Sequence, residues 1–187
     1  MGALHAAARA ASSPILHPSA WSPPGSGVVK LNFDAGFISD INARWGFVMR
    51  DHGGNIILTG SKLSQGFGGA TVEEAWACLH GLRNAHAHGC RNIIIESDYL
   101  QLIQMVKSKS IYDNLVGLFV EDIFSFVANF DFFSWSFVKR EGNQVAHALA
   151  HGHPLCLDGQ LWNSNFPEDV SSKASNDMYH YLANTLI

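Results

Sequence analysis

A chain of 187 residues, 47% hydrophobic and 15% charged, is long enough for one domain with a substantial core and too apolar to be disordered. Its net charge of -4 excludes the global basic field of a strong nucleic-acid binder, while leaving open a pocket that meets a polyanion through metal ions. No apolar run approaches the roughly 18 residues of a membrane helix. Cys78, Cys90 and Cys156 offer neither a disulfide framework nor a paired zinc motif, which points to a reducing compartment, nucleus or cytoplasm rather than an organelle.

Residues 1–27 combine an Ala-rich start with Ser12-Ser13-Pro14 and Trp21-Ser22-Pro23-Pro24-Gly25, and read as an extension or linker more readily than as a transit peptide. A first strand is expected from about Val28 to Asp34, with Asp34 at its end, two residues before Gly36. Ala43–Arg50 and Asn55–Ser61 are expected as two further strands around the turn Asp51-His52-Gly53-Gly54. Thr71 and Glu74 have capping-box spacing ahead of a helix that runs to about His88 and stops at Gly89. Asn92–Glu96 is an apolar run fit for a central strand and leads into Ser97-Asp98.

Two helices follow, Tyr99–Lys107 and Ile111–Asn129, the second with Leu115, Leu118, Phe119, Ile123 and Phe126 on one face. Phe132–Val138 alternates as a strand, and Asn143–Ala150 reads as the last helix. Beyond it no periodicity is visible. The order is that of an α/β domain over residues 28–155: a five-stranded mixed sheet, three antiparallel strands then two parallel, flanked by helices, with 156–187 as a tail.

Three acids stand at element ends. Asp34 alone reads as a turn former, Glu74 as an acid suited to a helix N-terminus, and Asp98 as an N-cap. Together they can converge on one point and hold a hard divalent cation. A second constellation, His147, His151, His153 and Cys156, has spacing that zinc can use, but a His-rich helix end, whose cations suit the C-terminal dipole, is the favoured reading.

The motifs Asn32-Phe33-Asp34, Glu74-Ala75-Trp76-Ala77, Glu96-Ser97-Asp98 and Arg140-Glu141-Gly142-Asn143-Gln144-Val145-Ala146-His147 stand in the order and spacing of the ribonuclease H family. The chain resembles that family over about residues 21–152, in the reverse-transcriptase-like branch common in plants and related to non-LTR retroelements. The resemblance implies a monomeric endonuclease that cuts the RNA strand of RNA–DNA hybrids with two Mg²⁺ ions, Mn²⁺ being the alternative. Asp34 would bridge both ions, and Glu74 and Asp98 would each complete one. His147 stands where the family usually carries a fourth acid, and Ala35 where it usually carries Gly. Arg140 or Glu141 falls where many members place a mobile His. Ala35, Gly36, Asn42, Arg44, Thr71, Arg140 and Asn143 are the expected contacts to the nucleic acid, the polar ones near the pocket mouth. The competing expectation is a catalytically weakened module of the same fold that binds nucleic acid or a protein partner.

Overall fold

The computed structural model describes residues 18–66, 68–108, 114–152 and 159–185. Three strands joined by short turns come first: β1 (Val29–Ser39), β2 (Asn42–Arg50) and β3 (Ile56–Gln65). They pair antiparallel in chain order, with Asp34 opposite Gly46 and Phe47 opposite Gly60. Helix α1 (Ala70–Ala87) crosses to β4 (Asn92–Ser97), which lies parallel to β1. Helices α2 (Leu100–Ser108) and α3 (Leu115–Val127) then lead to β5 (Phe132–Phe137), parallel to β4. A single 3-10 turn at Arg140–Gly142 precedes α4 (Gln144–His151), and β6 (Gln160–Trp162) and α5 (Glu168–Thr185) follow. The sheet order is β5-β4-β1-β2-β3-β6.

The mixed α/β sheet therefore has six strands rather than five, because the stretch without visible periodicity adds β6 to the edge at β3. In α5 only Val170 and Ala174 are buried, too few to mark a helix by its apolar spacing. Strand β1 does not end at Asp34. It continues through Gly36 and Phe37 because β2 supplies partners to Ser39. The capping box is absent: Gly69, at φ 78°, caps α1, and the Thr71 hydroxyl instead lies 2.8 Å from the Tyr99 hydroxyl. Helix α3 is rotated from the expected face. It buries Gly117, Val120, Ile123 and Val127, while Leu115 and Leu118 point to solvent. The residues of the presumed linker that are described are tied down, with Trp21 fully buried beneath Arg50.

Two cores lie on the two faces of the sheet. Leu31 and Phe33 of β1 join Phe47, Met49, Ile93 and Ile95 beneath α1, α2 and α3. On the other face Val48 packs with Val145, Ala146 and Leu149 of α4 and with Val170 and Ala174 of α5. A two-turn helix such as α4 has little stability alone, so burial of Val145 and Leu149, about 1.5–3 kcal/mol each, is what holds it. Gly46 sets how closely it sits: a Cβ there would meet Leu149 Cβ at 2.5 Å and the Ala150 amide at 2.6 Å. By the two-residue period of a strand, Lys30, Asn32, Asp34 and Gly36 all face this second layer. Both α4 histidines are thereby brought over the end of β1.

Candidate active site

Asp34 is fully buried at the centre of the site, on the strand that β2 and β4 flank. Its Oδ2 lies 2.8 Å from His147 Nδ1, 3.1 Å from an Arg140 guanidinium nitrogen and 3.6 Å from His151 Nδ1. Arg140, half-exposed on the turn before α4, bridges two acids, since its Nε also reaches Asp98 Oδ2 at 2.6 Å. Asp98 is held from below by the Asn143 amide, which donates to Asp98 Oδ1 at 2.6 Å and lies 2.9 Å from the Phe33 carbonyl. Glu74 enters from the start of the second turn of α1, buried, with the Ala35 amide hydrogen-bonding its carboxylate.

Burial is the main reason the Asp34 carboxyl titrates above the usual range, and the neighbouring Asp98 pushes it the same way. Arg140 and His147 pull in the opposite direction without cancelling these effects. Glu74 is shifted further, well above 4.5, by its burial and then by the charge of Asp34. Like charges gathered out of water cost free energy, and the cost falls when a cation joins them.

The donor set fits a divalent metal ion. Asp34 Oδ1 and Glu74 Oε2 are buried and have no hydrogen-bond partner among the described residues, an arrangement that proteins rarely leave unfilled. Three carboxylates offer the oxygens a hard cation takes. Beside them, one ligand atom from each of Asp34, His147 and His151 lie within 4.8 Å of one another.

Of the residues singled out from sequence, Asp34, Glu74, Asp98, His147 and Arg140 share this pocket. Gly36 leaves room for the His151 ring, whereas Ala35 packs its side chain on the core beneath α1 and meets the site only through its amide on Glu74. Asn143 lies beneath the pocket rather than at its mouth and is fully buried. Arg44 is buried on β2, so it does not present an exposed cation either. Asn42 sits at the β1–β2 turn, its amide 3.2 Å from the Ser39 hydroxyl. Thr71 faces a separate 420 Å³ groove with Gln101, Gln104, Ser108 and Asn114. His153 and Cys156, the other half of the candidate zinc constellation, lie outside the described residues.

His151 is the residue that the acid-centred reading passed over. Its i, i+4 spacing from His147 was the available signal: the two rings stack 4.1 Å apart on one face of α4.

A family model described as reverse transcriptase-like matches residues 32–153, which include every acid of the pocket. The chain belongs to the reverse transcriptase-like family. Its fold is that of ribonuclease H. RNase H1 from the halophilic archaeon Halobacterium salinarum is 21% identical over 66% of this chain and 94% of its own, with a TM-score of 0.62. The N-terminal RNase H domain of a Mycobacterium tuberculosis protein, solved as a fusion with maltose-binding protein, is 15% identical over 80% of this chain and 97% of its own, with a TM-score of 0.61. LC11-RNase H1, isolated from compost by a metagenomic approach and solved in complex with an RNA/DNA hybrid, is 16% identical over 65% and 92%, with a TM-score of 0.59. Among curated protein sequences none matches the chain. Among the described residues, no helix is long and apolar enough to cross a membrane.

Proposed function

We propose that the domain cleaves the RNA strand of RNA–DNA hybrids internally, with divalent cations held by Asp34, Glu74 and Asp98. The observation that carries the reading is the pair of buried, unpartnered carboxylate oxygens, Asp34 Oδ1 and Glu74 Oε2, on acids that feel each other's charge and that of Asp98. Membership of the reverse transcriptase-like family and the ribonuclease H fold support it.

When bound, two such ions supply an activated water on one side of the phosphorus and stabilise the leaving oxygen on the other. The chain's residues do the rest. Asp34, anchored in the middle of a paired strand, gives the acids a rigid centre. Asn143 fixes Asp98 from below and so orients its free lone pairs. Arg140 lies at the rim, long enough to leave its carboxylates for a substrate phosphate, where its fork of donors suits a non-bridging oxygen. Recognition rests on phosphates, 2′-hydroxyls and groove shape rather than on base edges.

One observation favours the alternative, a weakened module that binds without cutting: the Arg140 guanidinium already lies between Asp34 and Asp98. A labelled hybrid incubated with Mg²⁺ or Mn²⁺ separates the two. Cleavage of the RNA strand is expected, reduced at least about a hundredfold by Asp34→Asn, since several kcal/mol of charge stabilisation pass through that carboxylate. A folded protein that binds hybrid and cuts with neither ion establishes the binding module.

A further inference from the structure

The pocket holds a second donor set whose chemistry differs from that of the acids. Asp34 Oδ2 lies 2.8 Å from His147 Nδ1 and 3.6 Å from His151 Nδ1. Two ligands about 2.1 Å from one ion and roughly 90–110° apart stand about 3.0–3.4 Å from each other, which these two distances bracket. We propose that Asp34, His147 and His151 form a two-imidazole, one-carboxylate site that selects a borderline divalent cation such as Mn²⁺ over Mg²⁺.

Three further features agree. Gly36 admits the His151 ring, because a Cβ at that position would lie 2.0 Å from His151 Nε2. That nitrogen is thereby turned onto the backbone and Nδ1 is left toward Asp34. The Arg140 guanidinium touches both Asp34 Oδ2 and His147 Nδ1. Its positive charge already stands where a cation would. Finally, Oδ2 serves the imidazoles while Oδ1 stays uncommitted, so one carboxylate can serve this ion and another held with Glu74.

Ligation through His151 Nδ1 gives up its 3.0 Å contact with the His147 carbonyl, one hydrogen bond that a metal–nitrogen bond replaces. Imidazole is a poor ligand for Mg²⁺ and a good one for softer first-row ions. Unlike the zinc constellation visible in the sequence, this site draws its third ligand from β1, 113 residues before His147.

The inference deepens the proposed function, since Asp34 is common to both, yet it is read without substrate. Calorimetric titration of the full chain with Mn²⁺ and Mg²⁺ is the measurement, on wild type, His151→Gln and Gly36→Ala, with circular dichroism to check folding. Both variants are expected to weaken Mn²⁺ about tenfold and to leave Mg²⁺ within about twofold. Equal loss for both ions, or no loss of Mn²⁺, overturns the site. The visible spectrum of Co²⁺-loaded wild type needs no variant: a band shifted to higher energy by nitrogen ligands is expected, and a band at the position of an all-oxygen ion overturns the proposal. Neither readout depends on nuclease activity, so a protein that binds Mn²⁺ through His151 and cuts nothing would sink the proposed function and keep the site.

Discussion

Lys30 and Asn32 at one end of β1, and Asp34 and Gly36 at the other, lie on the same face of the strand, yet their surroundings differ in kind. Around the first pair, charges are matched. Lys30 Nζ reaches Glu96 Oε2 at 3.2 Å and the Ser22 carbonyl at 2.7 Å. Arg50 pairs with Asp177 of α5 at 2.6 Å and stacks on Trp21 at 3.6 Å. Asn32 accepts from the Trp21 indole and lies within hydrogen-bond reach of Glu96 and Asn143. Two cations meet two carboxylates, and Arg50 Nε is the one atom of this cluster without a partner among the described residues. Around the second pair, three acids crowd one half-exposed arginine and two histidines, and two carboxylate oxygens are orphaned. The first cluster is finished within the chain. The second gathers three acids with two buried oxygens unpartnered among the described residues, the pattern expected of functional rather than structural carboxylates.

The strongest way to break this comparison is to unfinish the finished cluster. Asp177→Ala leaves the Arg50 guanidinium fully buried without its counter-charge, a loss of about 3–5 kcal/mol. For a chain of this size that lowers the melting temperature by roughly 10 °C. Thermal melts followed by circular dichroism test it, and a shift under 2 °C would mean that α5 is dispensable to the cluster.

The opposite outcome is expected at the unfinished cluster. Burial and Asp34 hold the Glu74 carboxyl well above 4.5, so the folded chain binds that proton more tightly than the unfolded one. Glu74 therefore costs nothing below about pH 4.5, and stability is lost as pH rises through its raised value. Glu74→Gln removes the loss. The variant should melt about 2–4 °C above wild type at pH 8, as about 1 kcal/mol would produce, with the gap closing toward pH 5 and hybrid cleavage falling steeply. A variant less stable than wild type at pH 8 would make Glu74 a structural group.

The acids of this cluster were legible from the motifs that carry them, although β1 runs on past Asp34, and the alternation of Lys30, Asn32, Asp34 and Gly36 fixes which face of the strand they share. Long-range features were not. Helix α5 buries two apolar residues and is anchored by an ion pair 127 positions apart in the chain, which no local window contains. In α3, apolar side chains fall on both sides of Ile123, so two faces were equally plausible and packing against α1 chose between them. His147 and His151 were visible as an i, i+4 pair. That Asp34 joins them depends on Gly46 letting α4 close down on the sheet.

Arg140 gives the finest test of what the second cluster lacks. If its guanidinium stands in for an external cation between Asp34 and Asp98, it competes with metal, though weakly, because it is half-exposed and screened. Arg140→Gln should then tighten Mn²⁺ binding by about threefold to fivefold in calorimetry. The same variant should weaken hybrid binding and reduce its salt dependence by about one counter-ion, because an arginine released from its carboxylates becomes a phosphate contact. Tighter metal with an unchanged salt slope would confine Arg140 to the apo pocket. Weaker metal binding would mean that it positions the acids rather than competing for them, and the second cluster would then be less short of charge than its orphaned oxygens imply.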